Sequence, residues 1–537
     1  FVHSVVRAIQ AGVGSATFPA TAMNAALDER RPRMNFLTRT KSIEASLADT
    51  SSVHHSLKRS LNAWDLAIMG VAVAVGAGIF SVGAKAAGNY AGPSISVGFI
   101  IAAFTCGLAM MAYAEFASTV PVAGSAYTFT YATLGELLAW IIGWDLILET
   151  LTAAAVIAKY WGIYLQEVFA IANINVPATF DAGGVTVTWG PFVIVTIFTV
   201  LLVVGTKLSS RVSAVFTVLK IATVIFVIVV GAFYVKASNY TPFLPPAEPV
   251  ADGTASAWHQ SLVSVILGAP ATTYGMFGLL SGAALVFFAF IGFDVVATSA
   301  EEVKNPQKNL PRGIFGGLAL VTILYVAVSV VLTGMVPYTD LAAAENPSLA
   351  TAFTLVGAGW AAQVISLSIL LGLTTVIMVL LLGLTRVVFA MSRDGLFPRS
   401  WSVTSEKRKT PARLQIAVGI VVAVLASLLD VGVLEEMINI GTLSAFVLVS
   451  IAVIVLRKRY PNRTIAYRMP WVPFLPILSA VLCFWLMLNL TTMTWLRFAG
   501  WLIIGVIIYL VYGRRKSRLA TGEGEGEDAV ADAPVQG

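Results

Sequence analysis

Charge is what this sequence has least of. Asp, Glu, Lys and Arg make up 12% of its 537 residues, against 58% hydrophobic ones, where an ordinary soluble domain carries roughly 25% charged residues. With a mean hydropathy of +0.84, water is not the main solvent of this chain. Histidine is scarce too, at four, and cysteine scarcer, at two. The histidines lie outside the apolar runs, while Cys106 and Cys483 lie inside them as small buried hydrophobes. These shortages argue against a zinc spacing, a disulfide framework, and a cysteine or serine with a base beside it. Neither a catalytic residue, a metal site nor a cofactor is expected, and the chain does not read as an enzyme. Gly76-Ala77-Gly78 fails as a nucleotide loop, because an apolar helix and not a strand precedes it.

The net charge of +6 does not point to nucleic acid, because the basic residues are spread along the chain in a pattern that marks topology. About twelve runs are long enough to approach the roughly 20 apolar residues that a bilayer crossing needs. They are Trp64 to Tyr90, Ser94 to Thr119, Thr133 to Phe169, Pro191 to Thr206, Val212 to Val235, Met276 to Ala300, Gly313 to Val336, Gly359 to Ala390, Leu414 to Leu429, Leu434 to Leu456, Trp471 to Leu490 and Leu496 to Tyr512. Every second link is basic: Lys207 and Arg211; Lys304, Lys308 and Arg312; Arg393 to Arg413; Arg457 to Arg468; and the tail with Arg514, Arg515, Lys516 and Arg518. The alternate links are nearly free of Lys and Arg, so the positive-inside rule predicts both termini in the cytoplasm. The expected division is a cytoplasmic segment 1–63, of which 1–33 stands upstream of a plausible start at Met34, a transmembrane domain 64–513, and a cytoplasmic tail 514–537. The tail reads as disordered, and its Gly, Glu, Ala and Asp content from Thr521 is the reason. The link Lys236 to Tyr274, rich in Pro, Gly, Ala and Thr, has room for a short surface helix or a lid.

Two spans are interrupted by glycine at comparable depth, the first at Gly76-Ala77-Gly78 and the sixth around Gly292 within Phe287 to Asp294. They stand five spans apart, the spacing of a five-plus-five inverted repeat whose discontinuous helices flank a midplane site. Close packing of helices is the ordinary alternative for either cluster alone. A broken helix frees backbone groups that must find partners in hydrocarbon. The half-helix starting near Gly78 points its amides and positive dipole end at a carboxylate, and the half-helices ending at the breaks offer carbonyls to an ammonium group. A zwitterionic amino acid satisfies both, and glycine permits the close approach.

The strings around these breaks carry a resemblance. GAGIF at Gly76 to Phe80, YAEFASTVPVAGSAYTFTYATLGE at Tyr113 to Glu136, IIGWDLILE at Ile141 to Glu149, FFAFIGFD at Phe287 to Asp294, AEEVKNPQKNLPRGI at Ala300 to Ile314 and TRVVFAMSRDGLFP at Thr385 to Pro398 run in order over most of the chain. The sequence resembles the amino acid, polyamine and organocation (APC) superfamily, in the branch of the cationic amino acid transporters and their bacterial relatives. The resemblance implies an all-α integral membrane protein of the LeuT-type fold with 12 transmembrane helices, helices 1 and 6 discontinuous, in a bacterial plasma membrane. It implies a secondary active amino acid permease working by alternating access. Substrate would sit between the breaks, walled by spans three and eight. Gly76, Ala77, Gly78 and Ile79 would lie around the substrate carboxylate, with amides from Ala77, Gly78 and Ile79. Carbonyls of Ala74, Phe288, Ala289 and Ile291 would face the amine, and Phe288 would close the pocket.

Lys220 stands near mid-span in the fifth run, about 15 Å from either surface, too deep for its side chain to reach water. A charge there is expensive, and the resemblance gives it the place and role of a proton-coupling lysine. Glu149 is a second intramembrane charge, either satisfied by its neighbours or, as the resemblance has it, part of the pathway beside the substrate. Lys159 approaches the outer interface as a structural residue. Glu115, Glu301 and Glu302 fall near cytoplasmic ends as interfacial charges or gate salt bridges. Arg386, Arg393 and Asp394 are candidates for an inner gate. The eighth-span wall of Thr374, Thr375 and Met378 holds no charge and does not ask for a basic substrate, whereas Glu149 favours one. Cationic and small neutral L-amino acids, and symport and exchange, therefore stay open. A sensor using the same pocket is the alternative from another class, and short termini without a signalling module speak against it. The expected partners are the amino acid, a proton and lipid, with no nucleic acid; the oligomeric state is open.

Overall fold

A backbone in hydrocarbon can bond only with itself, and the apolar runs accordingly fold as helices. The computed structural model describes residues 61–521 apart from 120–124, 182, 206–209, 251–255, 294–295, 297–302, 406–409 and 462–466. The main helices are α1 (Ala63–Ala74), α2 (Ile95–Thr119), α3 (Glu136–Ile171), α4 (Trp189–Val204), α5 (Ser210–Ala232), α6 (Gly275–Val286), α7 (Pro306–Met335), α8 (Gly359–Arg393), α9 (Ala412–Leu428), α10 (Val431–Arg459), α11 (Phe474–Leu488) and α12 (Thr492–Ile508). Among the described residues, seven helical stretches are long and apolar enough to cross a membrane. Five further apolar helices are 10–17 residues long.

Local chemistry sets the ends. Asn62 and Asp65 form a reciprocal cap on α1, each side chain accepting from the other's backbone N–H. Pro306 opens α7 where no N–H is needed. The side chains of Asp430 and Thr491 cap α10 and α12. Between α1 and α2 the chain runs as a wide-turned helix, Gly78–Val82 and Ala87–Ala91 being π-helical, and turns sharply at Gly92, where φ is +56°. Burial singles out α3 as the central helix: 89% of its most apolar 18-residue window is enclosed, against 22% for the stretch that holds α12. α3 packs on α8 and α10, α7 on α1 and α2, and α9 on α4.

The described helices overlap the apolar runs, with differences at the links, and the end of the sixth run, expected to continue to Ala300, lies largely outside the described residues. A helix at Ser125–Thr133 occupies what reads as a connection between the second and third runs, and α7 begins seven residues before the expected Gly313. The link after α5 holds the short helix Leu262–Ile266, and the acidic link after α7 holds Tyr338–Ala343 and Leu349–Leu355. Among the described residues, two short antiparallel strand pairs, Thr179–Asp181 with Thr186–Thr188 and Glu248–Pro249 with Thr272–Thr273, lie in the links before α4 and α6. Part of the tail expected to be disordered is folded: Arg514–Lys516 and Arg518–Thr521 are helical, and Ser517 is fully buried. The reason is packing, since Ser517 donates to the Glu136 carboxylate at 2.8 Å and the Arg518 N–H donates to the Asp394 carbonyl.

Candidate functional site

α1 stops at Ala74 because Val75 turns to an extended conformation, and helix resumes only at Gly78. α6 narrows into a 3-10 turn over Phe287–Phe290, then opens at Ile291 and at Gly292, whose φ of +108° suits a glycine. The two breaks press on one another. A Cβ on Gly78 would overlap the Cα of Ala289 and stand 2.7 Å from its Cβ and 3.0 Å from its N, while a Cβ on Gly292 would overlap the side chain of Val73. Backbone thus meets backbone at Gly78, while Gly292 is required by its positive φ and by the Val73 side chain packed against it.

The carbonyls freed at the breaks are taken by side chains from other helices. Tyr325 of α7 holds its hydroxyl 2.7 Å from the Ala74 carbonyl and 3.0 Å from that of Ala289. Its ring stands edge-on between Phe99 and Phe290 at 5.7 and 5.4 Å between centroids. The Lys220 ammonium of α5 donates to the Ala72 carbonyl at 2.5 Å. Its stem lies against Gly372 of α8, where a Cβ would come within 2.7 Å of Cγ. Lys220 therefore reaches the last turn before the first break without reaching water, being 3% exposed.

Around this point Ala77, Gly78, Ile79, Phe288 and Ala289 are buried, Gly76 is buried beside them, and Ile291 is half-buried. The Tyr164 hydroxyl of α3 lies 3.1 Å from that of Ser81 and donates to the Phe80 carbonyl at 3.2 Å, tying α3 to the half-helix. Trp161 of α3 donates to the Thr374 hydroxyl at 3.1 Å, joining α3 to α8. Thr374 and Thr375 give their hydroxyl protons to Leu370 and Gly372 of their own helix; Thr375 and Met378 are buried and Thr374 is half-buried. Glu149 is buried on α3 where the helix backbone packs against Gly441 of α10.

Other expected residues stand away from the breaks. Glu115 is fully buried at the arginine-rich end, receiving Arg457 through Nε at 2.8 Å and Nη2 at 2.7 Å and the Met469 N–H at 2.7 Å. Asp394 accepts from the Tyr127 hydroxyl at 2.8 Å, and Arg386 and Arg393 are exposed. Lys159 donates to the Leu429 carbonyl at the opposite end. Arg211, Asp294, Glu301 and Glu302 carry side chains outside the described ones.

Two features escape a reading of the sequence. One is Tyr325, an unremarked tyrosine in an apolar run. The other is the pair of Lys85, on the half-helix after the first break, and Glu435 of α10: their charged atoms are 2.7 Å apart, Glu435 is fully buried, and the Tyr160 hydroxyl of α3 donates to its second oxygen. Glu435 stands in sequence where the link Leu429 to Glu436 meets the tenth run, and its depth is visible only once α10 is seen to start at Val431, ahead of the expected Leu434.

The sequence profile described as amino acid permease matches residues 61–511, which takes in both breaks, Lys220 and Tyr325. The chain belongs to the amino acid permease family. It is 44% identical over 488 residues to the branched-chain amino acid permease BcaP of Bacillus subtilis (strain 168), covering 90% of this chain and 98% of that one. It is 40% identical over 491 residues to the methylthioribose transporter of the same organism, covering 90% and 100%. The vacuolar cationic amino acid transporter 4 of Arabidopsis thaliana is 35% identical over 436 residues, covering 80% of this chain and 68% of that protein. The relatives of this permease are transporters, not enzymes, and its apolar helices make it a multi-pass membrane protein.

Proposed function

We propose that this permease carries a neutral amino acid by alternating access, driven by a proton, with LeuT-type architecture and substrate held between the two breaks. The observation that carries the reading is the convergence of the Ala74 and Ala289 carbonyls, one from each break, within hydrogen-bond reach of a single hydroxyl. Two acceptors so close together, out of water, suit an ammonium group, and Tyr325 holds its place in this conformation. The amides from Ala77 to Ile79 at the start of the resumed helix suit the carboxylate. The side-chain wall favours a neutral substrate, because Met378 is apolar and the hydroxyls of Thr374 and Thr375 are already donated within α8. The branched-chain permease among the relatives is in keeping with that wall. Lys220, buried and bonded to the last turn before the first break, is the proposed proton site. The outer side is the one bearing Lys85 and Glu435, by the distribution of basic links.

The methylthioribose transporter gives a second reading some weight, since it is a relative over its whole length. Counterflow in proteoliposomes, with alanine, valine, leucine, arginine and methylthioribose as competitors, separates them. Neutral amino acids are expected to compete best and an inward pH gradient to drive accumulation. Preference for arginine or methylthioribose, or strict dependence on sodium, would overturn the proposal.

A further inference from the structure

Asp145 lies nine residues into α3, about 14 Å along the helix from its start, and is 1% exposed. Its side chain faces α10, where the Ser444 Oγ stands 2.5 Å from Oδ2, while Oδ1 has no hydrogen-bond partner. The same Oγ lies 2.9 Å from the Gly441 carbonyl. A serine hydroxyl has one hydrogen and two acceptors compete for it here. Were it given to Asp145, the carboxylate would be an anion held out of water by one hydrogen bond, a costly arrangement without a counter-charge. With the proton on Asp145, the carboxyl donates to Ser444 and Ser444 donates onward to Gly441, so each hydrogen has its own acceptor.

The packed helices supply no counter-charge to Asp145. α10 has no titratable side chain between Glu436 and Arg457, α12 none between Arg497 and Tyr509, α8 none before Arg386 and α4 none at all. α9 offers only Arg413, at its first turn. Tyr127 and Tyr131 of the Ser125–Thr133 helix donate to Asp394 and Glu136. On α3 itself Glu149 follows one turn later, Glu136 opens the helix, and Lys159, Tyr160, Tyr164 and Glu167 lie fourteen or more residues onward, roughly 21 Å or more along the axis. Trp144, beside Asp145, stacks on Trp501 at 4.3 Å between centroids and on Trp140 at 5.8 Å.

We infer that Asp145 is a proton-binding site, holding its proton as a donor to Ser444 while α3 and α10 are packed and releasing it to water when that contact opens. The step is a plain proton transfer from the carboxyl to water, leaving a carboxylate. It adds a second site to the proposed proton coupling, and its part in transport rests on that reading.

Infrared spectra of the reconstituted protein test the site without reference to transport. Asp145→Asn keeps a donor toward Ser444 and is expected to remove one protonated-carboxyl stretch, which Ser444→Ala is expected to shift without removing. A spectrum in which Asp145→Asn removes no such band overturns the inference, even where the unmodified protein responds to a pH gradient. With the site present, Asp145→Asn is expected to keep counterflow within about twofold and to lose at least about tenfold in gradient-driven accumulation. A variant that accumulates substrate as well as the unmodified protein shows an acid that never lets go of its proton and overturns the release. Failure of the unmodified protein to respond to the gradient, with the band present, sinks the coupling reading and leaves the binding site standing.

Discussion

Gly78, Lys220 and Tyr325 act on the same few ångströms of chain, each through a different kind of contact. Gly78 admits the backbone of Ala289. Replacing it with valine is expected to abolish uptake while leaving membrane insertion intact, as checked by uptake and by the amount of protein extracted from membranes. Lys220 donates a hydrogen bond from Nζ to the Ala72 carbonyl. Lys220→Met should therefore lose pH-gradient-driven accumulation by about tenfold or more and retain counterflow; unchanged accumulation would remove Lys220 from the proton path. Tyr325→Phe takes the donor from two buried carbonyls, each worth about 1–3 kcal/mol when left unsatisfied. Thermal unfolding should show a loss toward the low end of that range and a larger stabilisation by substrate than in the unmodified protein, because an ammonium can replace the missing hydroxyl. A lysine amid apolar residues announces itself in a sequence, whereas a tyrosine does not. What makes Tyr325 matter is a pair of carbonyls supplied by α1 and by the turn after α6, and no property of its own helix signals them.

At the scale of elements, the half-helix 78–91 carries a single charge, Lys85, and spends it on Glu435 of α10. Removing one partner of a buried ion pair costs about 3–5 kcal/mol in general. The lysine is 23% exposed, so Glu435→Gln should fall at or below the bottom of that range in thermal unfolding. Loss of nothing measurable would mean that the pair does not hold this half-helix. The helices themselves were legible because a dozen apolar runs separated by polar links leave little else to form. The Ser125–Thr133 helix was not. Its sequence, SAYTFTYAT, is rich in β-branched and aromatic residues that favour strands, and it is held by contacts from elsewhere: Tyr127 on Asp394 and Tyr131 on Glu136. The folded start of the tail was hidden for the same reason, since Ser517 finds its acceptor at the first residue of α3.

For the whole molecule, the alternation of basic and neutral links sets an orientation that labelling can check. A cysteine placed in the tail beyond Thr521 should react only from the cytoplasmic side, and one in the Lys236 to Tyr274 link only from outside. The reverse pattern would invert the proposed direction of the outer and inner ends. The family was legible from strings spread across the chain. Substrate choice was less so, because it depends on which hydroxyls and carboxylates are already committed to neighbours, as with Thr374 and Thr375. The contact between the breaks also has a genetic consequence. What a side chain at position 78 strikes is the main chain of Ala289, its Cα and N, and not the methyl alone. Trimming residue 289 to glycine should not restore a Gly78→Ala strain. Suppressors recovered by growth selection should instead map to residues that set how far the 287–292 turn stands from α1, Val73 foremost among them.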